Sequence, residues 1–362
     1  MLLVLRPVRP VLAVALAAAL LAPGRSHAQT YTWSVTTGGS WTSSPNWGSP
    51  PNLYPHNLND TAIFSSTGNS TPKTVTLDAA IGIRAVQFAA GQTGTVIITP
   101  GSGGSLTLTN SNGAPTSVTV DAASGDHAIT ANLTLAGPTD HTWNIGAGRT
   151  FTVGSVAQAG TGATLGITKT GTGILLLNGN AGSIGTVNVT AGTLGGSGTA
   201  PAVSVAAGAF VTAGTSAAAP TLTVAGGLTL SGGYQVHLFS TAAGAASRLA
   251  VTGGTVNLSS TTDSLRLVLD PGVTVAALRA AGPKSYTVVT TSPGALVGTF
   301  NATDFTTAGF QASEWAVVYN DSTGNVTLNF TPVPESTWAV GAAAGGLLAG
   351  WGRRRWRRVA RV

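Results

Sequence analysis

One short pattern recurs along this chain: a polar or small residue, an apolar one, a polar or small one, an apolar one, with glycine usually a few positions on. It stands at residues 105–109 (Ser-Leu-Thr-Leu-Thr), 117–121 (Ser-Val-Thr-Val-Asp), 132–136 (Asn-Leu-Thr-Leu-Ala) and 150–154 (Thr-Phe-Thr-Val-Gly). It returns at 186–190 (Thr-Val-Asn-Val-Thr), 202–206 (Ala-Val-Ser-Val-Ala), 221–225 (Thr-Leu-Thr-Val-Ala) and 248–252 (Arg-Leu-Ala-Val-Thr). Successive side chains of a strand point to opposite faces, so each unit has one apolar face that it cannot bury alone. Stacking successive units solves that problem. No stretch between residues 30 and 330 keeps a helical period. The expected fold is therefore all-β: a parallel β-helix (β-solenoid) body with Val, Leu and Ile inward and Thr, Ser and Asn outward. Glycine and asparagine at corners supply the left-handed backbone angles of sharp bends. A composition of 49 Gly, 43% hydrophobic and only 8% charged residues in 362 fits this reading, and the β-branched content argues against disorder.

The formal charge of +6 is confined to the ends of the chain. Arg6, Arg9 and Arg25 lie near the start, and Arg353, Arg354, Arg355, Arg357, Arg358 and Arg361 in the last ten residues. Setting those nine aside leaves eight basic against 11 acidic residues, about −3, so no basic face is offered to nucleic acid. The absence of cysteine excludes disulfides, a thiolate nucleophile and a Cys-type zinc site.

Residues 1–28 combine a basic start, an apolar stretch over 11–22, Pro23-Gly24, and small residues at Ser26 and Ala28. This is the layout of a secretory signal peptide, with cleavage by signal peptidase expected between Ala28 and Gln29. At the other end, Val333, Pro334, Glu335, Ser336, Thr337 and Trp338 precede an uncharged stretch over 339–352. The stop-transfer cluster Arg353, Arg354, Arg355, Arg357 and Arg358 follows. A short C-terminal transmembrane helix is expected here, its arginines on the cytoplasmic side and Trp338 and Trp351 at its edges.

This three-part tail resembles the PEP-CTERM sorting signal, in which a Val-Pro-Glu-Pro motif, a membrane helix and an arginine-rich end are recognised by exosortases. The second proline is absent, Ser336 following Glu335 directly. The resemblance implies transient anchoring in the inner membrane, exosortase processing, and delivery to the envelope surface or extracellular matrix. Within the body, Lys169, Gly171, Gly173, Leu175, Leu177, Gly179 and Asn180, then Val189, Gly192 and Leu194, resemble the autotransporter-associated β-strand repeat. No membrane barrel is expected after Phe330. Trp33, Trp41, Asn46, Trp47 and residues 59–64, with the late stretch 286–300, are looser likenesses to the flanks of such repeats. The expected division is a signal peptide at 1–28, an irregular N-terminal cap with the first strands at 29–100, the solenoid at 101–331 with its repeat at about 167–194, and the sorting signal at 332–362.

Three groups carry candidate chemistry. Asp126-His127 and Asp140-His141, with Asp121, would make an acid and imidazole patch of the kind a carbohydrate-active enzyme or a metal site uses if their coils stack. Adjacent residues of a strand point apart, and Asp at a turn caps its own backbone, which is the simpler reading. Trp33, Trp41, Trp47 and Tyr54 form either a sugar-stacking platform or, as favoured here, a hydrophobic plug on the first coil. Gly171-x-Gly173 lacks the Lys-Ser/Thr and the helix of a phosphate loop. The function expected is that of an exported structural or adhesive protein with no catalytic residue, metal or cofactor. Extracellular polysaccharide is its candidate partner, and a carbohydrate-active enzyme or carbohydrate-binding module is the alternative.

Overall fold

The computed structural model describes residues 28–48, 53–65, 70–109, 113, 115–160, 164–214 and 220–333. These form an all-β protein that divides into two compact units, one ending at Thr193 and the other beginning at Leu194.

In the first unit the chain winds repeatedly through three sheets. The first sheet takes Thr30–Trp33, Thr61–Phe64, Ala85–Phe88, Ser117–Val120, His141–Ile145, Ile167–Thr170 and Val187–Val189, all parallel. The second takes Gly39–Ser40, Lys73–Leu77, Val96–Pro100, His127–Ile129, Thr150–Val153 and Ile174–Leu177. The third takes Ala80–Ile83, Ser105–Leu108, Leu133–Leu135 and Val156–Gln158. Register partners in the first sheet show the coil length: Ala85 pairs with Ser117, 32 positions on, and Thr168 with Asn188, 20 positions on. This coil-by-coil parallel stacking is β-helix-like, and the first strands from Thr30 already pair in it.

All eight copies of the recurring pattern are strands, and both apolar residues of every copy are buried. The copies sit on different sheets: residues 105–109 in the third, 117–121 in the first, 150–154 in the second. Their uneven spacing in the sequence follows from that, because the pattern marks strands rather than turns of the coil. Inward residues stack in columns. One runs Trp33, Phe64, Phe88, Val120, Ile145, and its neighbour runs Tyr31, Ala62, Val86, Val118, Trp143, Lys169, Val189. Hydrophobic burial at about 25 cal/mol per Å² of apolar surface is the main stabilising contribution of such columns.

The second unit continues the same logic within itself. Val203–Val205, Leu228–Leu230, Val256–Leu258 and Leu296–Gly298 make one parallel sheet. Phe210–Thr212, Gly233–Leu238, Ser264–Leu269 and Ala302–Asp304 make another. In the third sheet Thr199–Ala200, Thr221–Val224, Arg248–Val251 and Lys284–Thr290 pair in parallel. The last two strands, Asn325–Phe330 and Trp315–Asn320, pair antiparallel. A register shift between Thr287 and Val289 adjusts the first of these pairings.

Among the described residues one α-helix, Val275–Ala280, interrupts the pattern. Its start is set by Thr274, whose side chain accepts a hydrogen bond from the Ala277 N–H at 3.1 Å and so caps the first turn. The Thr-Val-Ala-Ala-Leu-Arg stretch carries that capping signal, and six residues are too few to show as a period in the sequence.

Candidate functional site

The aspartates and histidines of residues 121–141 are separated by the strand pleat. Asp126 and Asp140 are exposed, and each caps the backbone of the following coil: Asp126 Oδ1 accepts from Thr150 N–H at 2.8 Å and Asp140 Oδ1 from Gly166 N–H at 2.7 Å. Asp121 Oδ1 accepts from Ala123 N–H at 2.7 Å, a local turn. His127 and His141 open their strands and point inward, both fully or nearly buried. His127 lies flat on Phe88, ring centroids 4.3 Å apart, and its Nδ1 accepts from Val96 N–H at 3.0 Å. His141 Nδ1 is hydrogen-bonded to Thr116 Oγ1. Burial pushes His127 down to about 3, helped by the Arg149 and Lys73 charges, and His141 to about 4 against the opposing pull of Asp140. Both rings are therefore neutral core residues. Among the described residues, no group of three or more His, Asp or Glu side chains could hold a metal.

The N-terminal tryptophans also face inward. Trp33, Trp41 and Trp47 are at most 2% exposed. Trp33 and Trp41 meet Trp47 edge to face, centroids 5.0 and 4.9 Å apart, over Phe64. Their N–H groups are spent internally, Trp41 on Pro55 O at 2.9 Å and Trp47 on Trp41 O at 2.7 Å. A sugar-stacking platform needs exposed faces. These rings are the start of the aromatic column instead, as the plug reading expects.

The most distinctive site is one that sequence reasoning recognised without an account of its physics. Lys169 occupies an inward position between Trp143 and Val189 and has no measurable exposure. Its ammonium donates to the backbone carbonyls of Gly171 at 2.9 Å and Ala191 at 2.8 Å, with a longer contact to Thr170 O at 3.4 Å. The lysine thus ties the corner after its own strand to the same corner one coil later. Burial pushes it down to about 8. Gly171 and Gly192 form those corners, with φ of +70° and +69°. A Cβ at Gly192 would also meet Gly173 O and Lys169 Nζ. The remaining repeat residues have plain duties: Leu175, Leu177, Val189 and Leu194 are buried, and Asn180 Oδ1 accepts from Gly182 N–H at 2.9 Å in a turn.

Two clusters went unread in the sequence. Lys73, almost fully buried, donates to Gln92 Oε1 at 3.1 Å. In the second unit Arg279 grips Glu314 through Nε to Oε1 at 2.7 Å and Nη2 to Oε2 at 2.9 Å. Glu314 stands beside Trp315, itself packed on Phe305, Phe310 and Phe330. A signal was available: Glu314 is the single glutamate before the tail, set among aromatics.

Of the expected processing residues, Ala28 and Gln29 are exposed, and Val333 is the last described residue, 37% exposed. Pro334, Glu335, Ser336, Thr337, Trp338, the stretch 339–352 and the arginine cluster lie outside the described residues. Among those described, no helix is long and apolar enough to cross a membrane. The fold and these sites define an all-β protein of stacked parallel sheets. Compared with known proteins, the chain matches no family model and no curated protein sequence.

Proposed function

We propose that this chain is an exported structural or adhesive protein of the cell surface or extracellular matrix. Its leader is cut by signal peptidase, and its C-terminal motif, membrane helix and arginine cluster hand it to an exosortase. In this reading the body is a parallel β-helix begun by an aromatic N-terminal cap, and its partner is extracellular polysaccharide.

The observation that carries the reading is the outer surface of the first sheet. Ser117, Thr142, Thr168 and Asn188 are in register with one another, and so are Thr119, Asn144 and Thr170, all on the outward side. Neighbouring strands lie about 4.8 Å apart, so these hydroxyls and amides form a regular uncharged array. Such an array suits repeated contact with a neutral polymer, which exposes the same kinds of group. The scarcity of charge in the body and the grouping of arginines at the chain's ends support export and sorting.

The intact mass of the protein from its host, compared between membrane and medium, tests this directly. The expected product begins at Gln29, ends near Glu335, and is found outside the membrane fraction. A product that keeps residues 353–362 and stays in the membrane refutes sorting.

A further inference from the structure

We propose that Asp60 is the seat for the α-ammonium created at Gln29 when the leader is removed, and that this ion pair locks the first strand of the mature protein in place. The inference rests on the secretory reading of the N terminus, but its physical content is independent of which enzyme makes the cut.

Asp60 has no exposed surface. Its carboxylate accepts three backbone N–H groups: Gln29 N on Oδ1 at 3.3 Å, and His56 N and Asn57 N on Oδ2 at 3.2 and 3.0 Å. No salt bridge among the described residues includes it. Burying an ionised carboxylate with neutral donors alone is expensive, and a cation at hydrogen-bond distance relieves that expense. The nitrogen already in place belongs to the bond that the sequence marks for cleavage. Hydrolysis of the Ala28–Gln29 amide takes up one water, leaves a carboxylate on Ala28, and frees an amine that is protonated at neutral pH. A neutral amide donor becomes a charged donor with three hydrogens, and such bonds are about twice as strong.

The surroundings hold Gln29 for this purpose. Its carbonyl accepts from Thr61 N–H at 2.8 Å, and its side-chain Oε1 accepts from the Tyr31 hydroxyl at 2.9 Å. Ala28 and Gln29 themselves are exposed, so the scissile bond is open to a peptidase. The ionisable residues tied to this corner are Asp60, Tyr31 through its hydroxyl to Gln29, His56 through its backbone N–H to Asp60, and Arg84, which donates through Nη2 to Thr61 Oγ1 at 2.9 Å. Folding gives the amine a partner, so its folded pKa lies above the unfolded value of about 8. The stabilisation is complete below that pH and disappears as pH rises through the folded value.

The test compares two chains that both run to Val362 in the same detergent, one starting at Gln29 and one at Ser26. At pH 6 the Gln29 chain should melt about 2–4 °C higher, the gap closing by pH 10. It should also vanish in an Asp60→Asn background, and on conversion of Gln29 to pyroglutamate, which expels ammonia and leaves an uncharged lactam. Equal melting at pH 6, or a gap that pH does not change, overturns the proposal. Should Asp60→Asn fail to fold, the pH profiles of the two unmutated chains decide alone. A native product that starts elsewhere refutes the secretory reading, while the melting comparison still judges the ion pair.

Discussion

Lys169 shows how one residue can serve two opposed demands. Inside the coil its ammonium holds the carbonyls of Gly171 and Ala191 without a carboxylate, so its charge is bought at a desolvation cost that the pKa of about 8 records. For a lysine whose folded pKa is depressed, the unfolded chain binds more protons between the folded and unfolded values. Stability therefore rises with pH from about 8 to about 10.5, by about 3 kcal/mol at ~1.4 kcal/mol per unit. Lys169→Met keeps the packing and should remove this rise, which denaturant unfolding at pH 8 and pH 10 measures. Lys169→Ala should cost about 3 kcal/mol at pH 7 by opening a cavity and leaving two carbonyls without donors. A mutant that keeps the pH dependence would show that it arises elsewhere.

At the scale of the element, the final antiparallel pair in the second unit depends on Glu314. Its side chain is fully buried, held by Arg279 and by the Gln311 N–H at 2.8 Å, just before Trp315 in the chain. The Arg279 bond holds its carboxyl below the usual range, so its contribution is present above about pH 4.5 and lost as pH falls through the folded value. Glu314→Gln should lower stability by about 2 kcal/mol at pH 7, discounted because Arg279 remains partly exposed. Thermal unfolding of the mutant at pH 7 checks this, and an unchanged melting temperature would refute it.

The strands of both units were legible in the sequence because a two-residue period and a buried face leave the same mark. At residues 117–120 the alternation alone places Val118 and Val120 inside. Lys169 was visible only through a family resemblance, since nothing local says that a lysine points inward. The pairing of Arg279 with Glu314, 35 residues apart, is set by which coils meet and leaves no local trace. Asp121 caps its own turn as expected, whereas Asp126 and Asp140 cap the backbone one coil on, a pairing that leaves no local trace; their separation from His127 and His141 follows because a strand puts neighbours on opposite faces. The short helix at Val275–Ala280 escaped for want of length.

Across the whole molecule, buried neutral histidines set the response to acid. His127 and His141 have folded pKa values of about 3 and about 4 against 6.5 in the unfolded chain. As pH falls below 6.5 the unfolded state gains protons that the folded state refuses, so stability drops until about pH 4 for His141, by about 3 kcal/mol from that residue, and on to about pH 3 for His127. The denaturant midpoint should fall over that window, and the effect begins two pH units above that of Glu314. An imidazole titration by NMR in which either ring changes near pH 6.5 would contradict the buried assignment.

The outward columns of the first sheet have a mechanical consequence. A row that repeats one hydroxyl or amide per coil offers contacts that are each feeble, yet a partner of matching repeat must release them together or unzip them in sequence. Because the groups in those columns carry no charge, a change in salinity has little to screen. If the chain binds a polymer as proposed, such a grip would grow with contact length and hold equally in dilute and in briny water.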